Sequence, residues 1–250
     1  MAITIHGPRE LSAMRRAGQV AAQTLAAVTA RLRPGISTAT IDAWVREDTA
    51  ARGARPSQLG YKGFPAAVCT SRNQVICHGI PSPHEMLEEG DIVNVDVTSQ
   101  FEGFHGDTSV TIMLGTPSAD AQRVTEVARR GLAAGIAAVR PGARLGDVGA
   151  AIEALAREEG CGVVREFGGH GIGRQMHMPP HVLHCGPAGR GPRLRTGMTF
   201  TIEPMITVGD PGVKMLDDGW TVVTADGSPT AQFEHTVAVT EDGCEVLTLL

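Results

Sequence analysis

Asp91-Ile-Val-Asn-Val-Asp-Val-Thr-Ser-Gln-Phe-Glu-Gly-Phe-His-Gly-Asp-Thr-Ser109 is the stretch on which the reading of this chain turns. Val93, Val95 and Val97 alternate with Asn94, Asp96 and Thr98, the period-2 pattern of a half-buried strand with its polar set on one face. Glu102-Gly103 supplies a turn. Strands paired around it set opposite each other residues whose numbers sum to 205, so Asp107 faces Thr98 (98 + 107 = 205) and lies diagonal to Asp96. Two carboxylates held that close repel and raise one pKa unless a cation lies between them, so the arrangement asks for a metal or a shared proton. The competing reading is a pair of solvated aspartates at a hairpin end.

Upstream of the hairpin, Leu11, Met14, Ala17, Val20, Ala21, Leu25 and Val28 recur at three and four residues. They predict an amphipathic helix from Pro8 to Arg33, stopped by Pro34-Gly35. Ser37 or Thr38 caps a second helix running through Ile41, Trp44 and Val45 to Gly53. Strand-like runs follow at Ala67–Thr70 and Val75–Cys77.

Downstream the order repeats. Ser118-Ala-Asp120 opens a helix carrying Val124, Val127, Leu132, Ile136 and Val139, which stops at Arg140-Pro-Gly142 as the first stops at Arg33-Pro-Gly35, an offset of 140 − 33 = 107. At that offset Ile41–Gly53 aligns with Val148–Gly160. Strands are predicted at Gly162–Arg165, Met198–Val208, Trp220–Thr224, Phe233–Val239 and Glu245–Leu249. Two similar halves, about 8–115 and 116–250, then pack about an approximate two-fold within one domain spanning 1–250, with a cleft between them.

At 250 residues with 42% hydrophobic residues and a net charge of −5, the chain has the composition of a soluble protein. Aromatic residues at 4% and the lack of excess positive charge argue against DNA or RNA binding by a basic or stacking surface. No apolar run reaches bilayer length and the N-terminus lacks a leader pattern, so a cytoplasmic protein is expected. Five cysteines, none spaced as Cys-x-x-Cys, suggest neither a disulfide framework nor a zinc ribbon.

The second half offers three further ligand types. Phe167-Gly-Gly-His-Gly-Ile-Gly173 presents His170 among glycines, where backbone can approach closely. Met198-Thr-Phe-Thr-Ile-Glu-Pro-Met205 places Glu203 on the polar face at a strand end, with Pro204 ending regular pairing. In Gln232-Phe-Glu-His-Thr-Val-Ala-Val239, Glu234 lies opposite the apolar positions. Spacing alone does not bring these residues together with Asp96 and Asp107. If they do converge, four carboxylates and one imidazole make a hard, oxygen-rich set with charge enough for two divalent ions, a pair suited to hydrolysis.

The chain resembles the type I methionine aminopeptidases, members of the group with the pita-bread fold. The likeness runs through Gly60-Tyr-Lys-Gly-Phe-Pro65, Val75-Ile-Cys-His-Gly-Ile-Pro81, Gly103-Phe-His-Gly-Asp-Thr-Ser109, Gly169-His-Gly-Ile-Gly-Arg174, Phe200-Thr-Ile-Glu-Pro204, Asp218-Gly-Trp-Thr221 and Gln232-Phe-Glu-His-Thr236. It implies an α+β fold, an antiparallel sheet inside two pseudo-symmetric halves with helices outside. By the same resemblance the metal ligands would be Asp96, Asp107, His170, Glu203 and Glu234, with Asp107 and Glu234 bridging two ions (Co, Mn, Fe or Zn). The ions would activate a water against the carbonyl of an N-terminal methionine, Glu203 would relay its proton, His177 would hydrogen-bond the tetrahedral species and His78 the scissile amide. Tyr61, Phe64, Cys69, His78, Met176, His177 and Trp220 would line the methionine pocket, and a monovalent cation would lie near Asn73, Val75 and Thr230.

Three positions depart from some relatives: Phe64 stands for Tyr, Met176 for Phe and Gln58 for Cys. The distance from His170 to Glu203 (203 − 170 = 33) and from there to Glu234 (234 − 203 = 31) leaves no place for the insertion of the type II enzymes. The first helix begins within about ten residues of Met1, without the added domain of the Xaa-Pro peptidases or a zinc-binding extension. The resemblance is thus to the short, bacterial-style form, a monomer acting on the N-terminal Met of nascent polypeptides with a small second residue. Such work would make docking at the ribosome sensible, although no motif encodes it. The alternatives are a catalytically inactive pita-bread binding protein and an Xaa-Pro-type peptidase of the same fold.

Overall fold

The hairpin forms as its alternation requires. In the computed structural model, which describes residues 2–250, Ile92–Phe101 and Phe104–Met113 pair antiparallel over their full length, with Thr98 opposite Asp107 and Asp96 opposite Ser109. Glu102 (φ 49°) and Gly103 (φ 78°) close it as a two-residue turn with both central residues left-handed, the geometry that matches strand twist. Arg16 reaches across to hold Glu102, Nε to Oε2 at 2.9 Å.

Four α-helices are found among the described residues: α1 (Pro8–Thr29), α2 (Thr38–Ala51), α3 (Ala119–Ala137) and α4 (Leu145–Glu158). α1 stops four residues short of Arg33. Beyond Thr29 the chain tightens, Arg31 N–H bonding Val28 O and Leu32 N–H bonding Thr29 O, because Pro34 bars the helical conformation before it. Ser37, not Thr38, caps α2, its hydroxyl accepting from Thr40 N–H at 3.3 Å, while Thr38 turns to Ser82 O and Glu85. Ser118 caps α3 in the same way. α2 and α4 are each 14 residues long and begin 145 − 38 = 107 positions apart.

Seven strands follow one another across the main sheet: Arg55–Pro56, Ile92–Phe101, Phe104–Met113, Glu234–Val239, Thr199–Ile202, Gly169–Gly171 and Met178–Val182, with Cys69–Arg72 and Cys244–Val246 pairing alongside. Its neighbours are antiparallel. Two three-stranded sheets flank it, one of Thr230–Gln232, Met205–Thr207 and Gly162–Val163, the other of Val213–Met215, Val222–Thr224 and Val75–Cys77. Val93, Val95 and Val97 pack on Leu25 and Val28 of α1 and Ile41 and Val45 of α2, so the alternate residues, Asn94, Asp96 and Thr98, face the other way. Val124, Val127, Val148 and Ile152 of α3 and α4 cover Phe200, Ile202 and Val237 similarly. Each such fully buried side chain contributes roughly 1.5–3 kcal/mol.

The expected single strand Met198–Val208 is in fact two, Thr199–Ile202 in the main sheet and Met205–Thr207 in a flanking one. Pro204 has no N–H to give to a ladder, and the chain changes sheet at Glu203-Pro204. Its partner divides at the same level, into Thr230–Gln232 and Glu234–Val239 where one run from Phe233 was expected. Pairing keeps one register across the break: Ile202 faces His235 and Met205 faces Gln232, and both sums are 437 (202 + 235; 205 + 232). Glu203 and Glu234 sum to the same value, so the joint sets them level with each other. Val75–Cys77 forms as expected, while four other expected strands shift or shorten, to Cys69–Arg72, Gly162–Val163, Val222–Thr224 and Cys244–Val246.

Candidate metal centre and substrate cavity

His170 reaches the centre because its neighbours have no side chains. A Cβ on Gly169 would lie 2.2 Å from the Thr201 carbonyl oxygen, and one on Gly171 2.1 Å from that of Pro179, so any larger residue would push the strand away. The His170 N–H donates to Thr201 Oγ1 at 2.9 Å, and Nδ1 lies 3.1 Å from the Gly171 carbonyl oxygen. A proton on Nδ1 gives the Nε2 lone pair to whatever it faces. Nε2 faces carboxylates, Asp107 Oδ2 at 3.5 Å and Glu203 Oε1 at 3.7 Å. Burial pulls the His170 pKa down, but the hydrogen bond to Asp107 and the charge of Glu203 outweigh it, so the net shift is upward.

The carboxylates are crowded and dry. One ligand atom each from Asp107, His170 and Glu234 lies within 4.8 Å of the other two. Glu203 and Asp96 line the same cavity. Burial, then the charges of Asp107 and Glu203, push both Asp96 and Glu234 well above the usual carboxylate range. Burial raises Glu203 to about 7 even though His170 pulls the other way. Asp96 Oδ1 is buried without a hydrogen-bond partner. An imidazole lone pair, crowded carboxylates and an orphaned oxygen together fit a divalent cation, whose charge would satisfy all of them at once.

Groups around these side chains hold them in place. Thr98 donates to Asp107 Oδ1 at 2.7 Å, and Thr201 to Glu203 Oε1 at 2.7 Å. Gln232 Nε2 donates to Glu203 Oε2 at 3.2 Å, and the Glu203 N–H donates to His184 Nε2 at 3.1 Å. Asn94 Nδ2 and Thr111 Oγ1 both donate to the Gln232 carbonyl, which ties the hairpin to the second half. None of these supports was singled out in the sequence. Thr98 carried a signal, its place opposite Asp107 in the 205 register; His184 carried none.

Beside these side chains opens a cavity of about 170 Å³, lined also by Tyr61, Phe64, Cys69, His78, Met176, His177 and Trp220. Tyr61 stacks on His177 with centroids 5.0 Å apart, and Phe64 meets Trp220 edge-on at 5.1 Å. His177 lies 4.0 Å from His170, centroid to centroid. Burial and the neighbouring His170 lower His177 to about 3, and burial lowers His78, so both imidazoles are neutral at pH 7. His78 adopts φ 57°, a left-handed conformation costly for a side-chain-bearing residue and common at functional sites. Gln58, Lys62 and Thr98 complete the lining. Away from this cavity, Asn73 O accepts the Thr230 N–H at 2.9 Å, and Val75 opens the strand two residues on.

The model for metallopeptidase family M24 matches residues 12–241. Methionine aminopeptidase A of Synechocystis sp. is 51% identical over 247 residues, covering 99% of this chain and 98% of that protein. The crystal structure of methionine aminopeptidase from Rickettsia prowazekii superposes with a TM-score of 0.97 at 44% identity, covering 99% of this chain and all of that one. That of the Thermotoga maritima enzyme gives 0.98 at 38% identity, with both chains covered in full.

Proposed function

Because the chain belongs to the methionine aminopeptidases of metallopeptidase family M24, with the pita-bread fold of that group, we propose that it removes the initiator methionine from nascent polypeptides with a small second residue. The observation that carries the reading is the convergence of Asp96, Asp107, His170, Glu203 and Glu234 on one cavity that has an apolar side of Phe64, Cys69, Met176 and Trp220. These five would hold two divalent ions, of Co, Mn, Fe or Zn, with Asp107 and Glu234 shared between them. Bound ions supply Lewis acidity to the scissile carbonyl and lower the pKa of water.

The chain's own groups do the rest. Phe64, Cys69, Met176 and Trp220 give the methionine thioether an apolar slot that excludes water. Glu203, whose two oxygens are held by Thr201 and Gln232, takes the proton of the attacking water and passes it to the departing amine. Neutral His177 and His78 offer N–H donors to the carbonyl oxygen and the amide of the bond being cut, each worth a few kcal/mol if aimed at developing charge. Tyr61, stacked on His177, fixes the ring that donates.

A monovalent cation near Asn73, Val75 and Thr230 belongs to the same reading, as do a monomeric state, action in the cytoplasm and work close to the ribosome. Among the described residues no helix is long and apolar enough to cross a membrane. Residues 1–250 are read as one catalytic domain of two related halves, about 8–115 and 116–250, supported by the equal lengths and fixed offset of α2 and α4. Relatives matched end to end carry the methionine aminopeptidase name, which favours neither an Xaa-Pro peptidase nor an inactive binding protein. The test is turnover of the tripeptide Met-Ala-Ser by metal-reconstituted protein and its loss in Asp107→Ala. No cleavage with any divalent ion overturns the proposal.

A further inference from the structure

The strand that carries Asp96 has two short partners on its outer edge, and they do not meet. Cys69–Arg72 covers it from Val93 as far as Asp96. Arg55–Pro56 pairs with Ser99 and Gln100, and the Ser57 N–H extends that contact to Thr98 O at 2.8 Å. Between them lie the carbonyl of Asp96 and the N–H of Thr98. Gln58 fills the interval: its Nε2 donates to Asp96 O at 2.8 Å and its Oε1 accepts from Thr98 N at 3.3 Å. The same Nε2 lies 3.8 Å from Cys69 Sγ.

A primary amide carries N–H donors and a carbonyl acceptor in one plane, as a peptide group does, so here a side chain supplies the rung that neither strand reaches. We infer that Gln58 is a positioning residue for the ion ligands, its amide completing the edge of the strand at Asp96 and Thr98 and so fixing the aim of both side chains. Thr98 in turn directs Asp107 through its 2.7 Å hydrogen bond, so one amide governs a ligand directly and a second through one intermediary. Gln58 is 6% exposed, which leaves water little access to take its place.

The inference rests on the proposal that Asp96 and Asp107 hold divalent ions. Gln58→Leu keeps the bulk and removes both hydrogen bonds; Gln58→Glu keeps an acceptor for Thr98 but has no N–H for Asp96. Calorimetric titration with Co(II) is expected to show affinity weakened roughly 10- to 100-fold in Gln58→Leu, as for other residues that orient metal ligands. The visible absorption of the bound Co(II) should change, and the Thr98 amide should exchange faster, while Gln58→Glu recovers Thr98 protection but not the affinity. Should Gln58→Leu fail to fold, Gln58→Glu carries the test by its affinity and its Co(II) spectrum. A variant that melts lower yet matches the wild type in both overturns the positioning role. Failure of the wild type to bind Co(II) at all overturns the proposed function itself, and this inference with it.

Discussion

Thr98 and Asp107 face each other across the hairpin, and the hydroxyl of one donates to Oδ1 of the other at 2.7 Å, leaving Asp107 Oδ2 turned to His170 at 3.5 Å. One oxygen is thereby occupied and the other presented. Thr98→Val keeps the shape and removes the donor. Hydrogen bonds to charged groups contribute about 1.5–3 kcal/mol, so divalent-ion affinity measured by calorimetry should fall roughly 10- to 100-fold with the circular dichroism spectrum retained. Unchanged affinity would show that Asp107 is aimed without the threonine.

Asp96 and Asp107 are not equivalent. One ligand atom of Asp107 lies within 4.8 Å of one each from His170 and Glu234, a group that Asp96 does not join. Asp107→Ala should therefore abolish peptide cleavage and leave less than one equivalent of ion by elemental analysis. Asp96→Ala should retain close to one. Equal losses from the two variants would count against a bridging role for Asp107.

Gly169 is required by the carbonyl of Thr201, 2.2 Å from where a Cβ would stand. Gly169→Ala forces that backbone apart and should cost about 1–3 kcal/mol, as other overpacked interiors do. For a chain of this size each kcal/mol is roughly 2–4 °C in melting temperature, readable by calorimetry. A melting point within 1 °C, about the error of the measurement, would mean the strand yields freely.

Stability should respond to pH in opposite senses on the two sides of neutrality when ions are removed with chelator. Burial holds His184 at about 3, below its unfolded value of 6.5, so its contribution is complete above 6.5 and is lost as pH falls toward 3. Glu203 is held up to about 7, above its unfolded value of 4.5, so its contribution is complete below 4.5 and is lost as pH rises through 7. Each such group changes stability by up to about 1.4 kcal/mol per pH unit within its window. Melting temperature should therefore peak between about pH 5 and 6.5, and added divalent ion should lift the alkaline flank alone by favouring the ionised carboxylates. Identical melting of chelated and ion-loaded protein at pH 7.5 would rule out the coupling.

Long-range convergence is where the sequence was least informative. The hairpin was legible because its period-2 alternation and its turn lie within one stretch, so Thr98 could be placed opposite Asp107 by counting. Gly169–Gly171 and Met178–Val182 were not expected as strands, since three residues with two glycines, or a run with two prolines, show no period to read. Gln58 and Gln232 act through contacts with residues 38 and 29 positions away, which no local pattern announces. The break at Pro204 was foreseen as an end to pairing, but not that the partner strand breaks level with it and resumes in the same register.

That shared register also sets when the centre can form during synthesis. Glu203 and Glu234 are brought level by pairing between residues 199–202 and 235–238, and Glu234 comes 234 − 96 = 138 residues after Asp96. Contacts this distant close late, after the loop between them has been ordered. A chain still emerging can fold its first hairpin, but the proposed ligand set is incomplete until Glu234 has been made and the last long strand has paired.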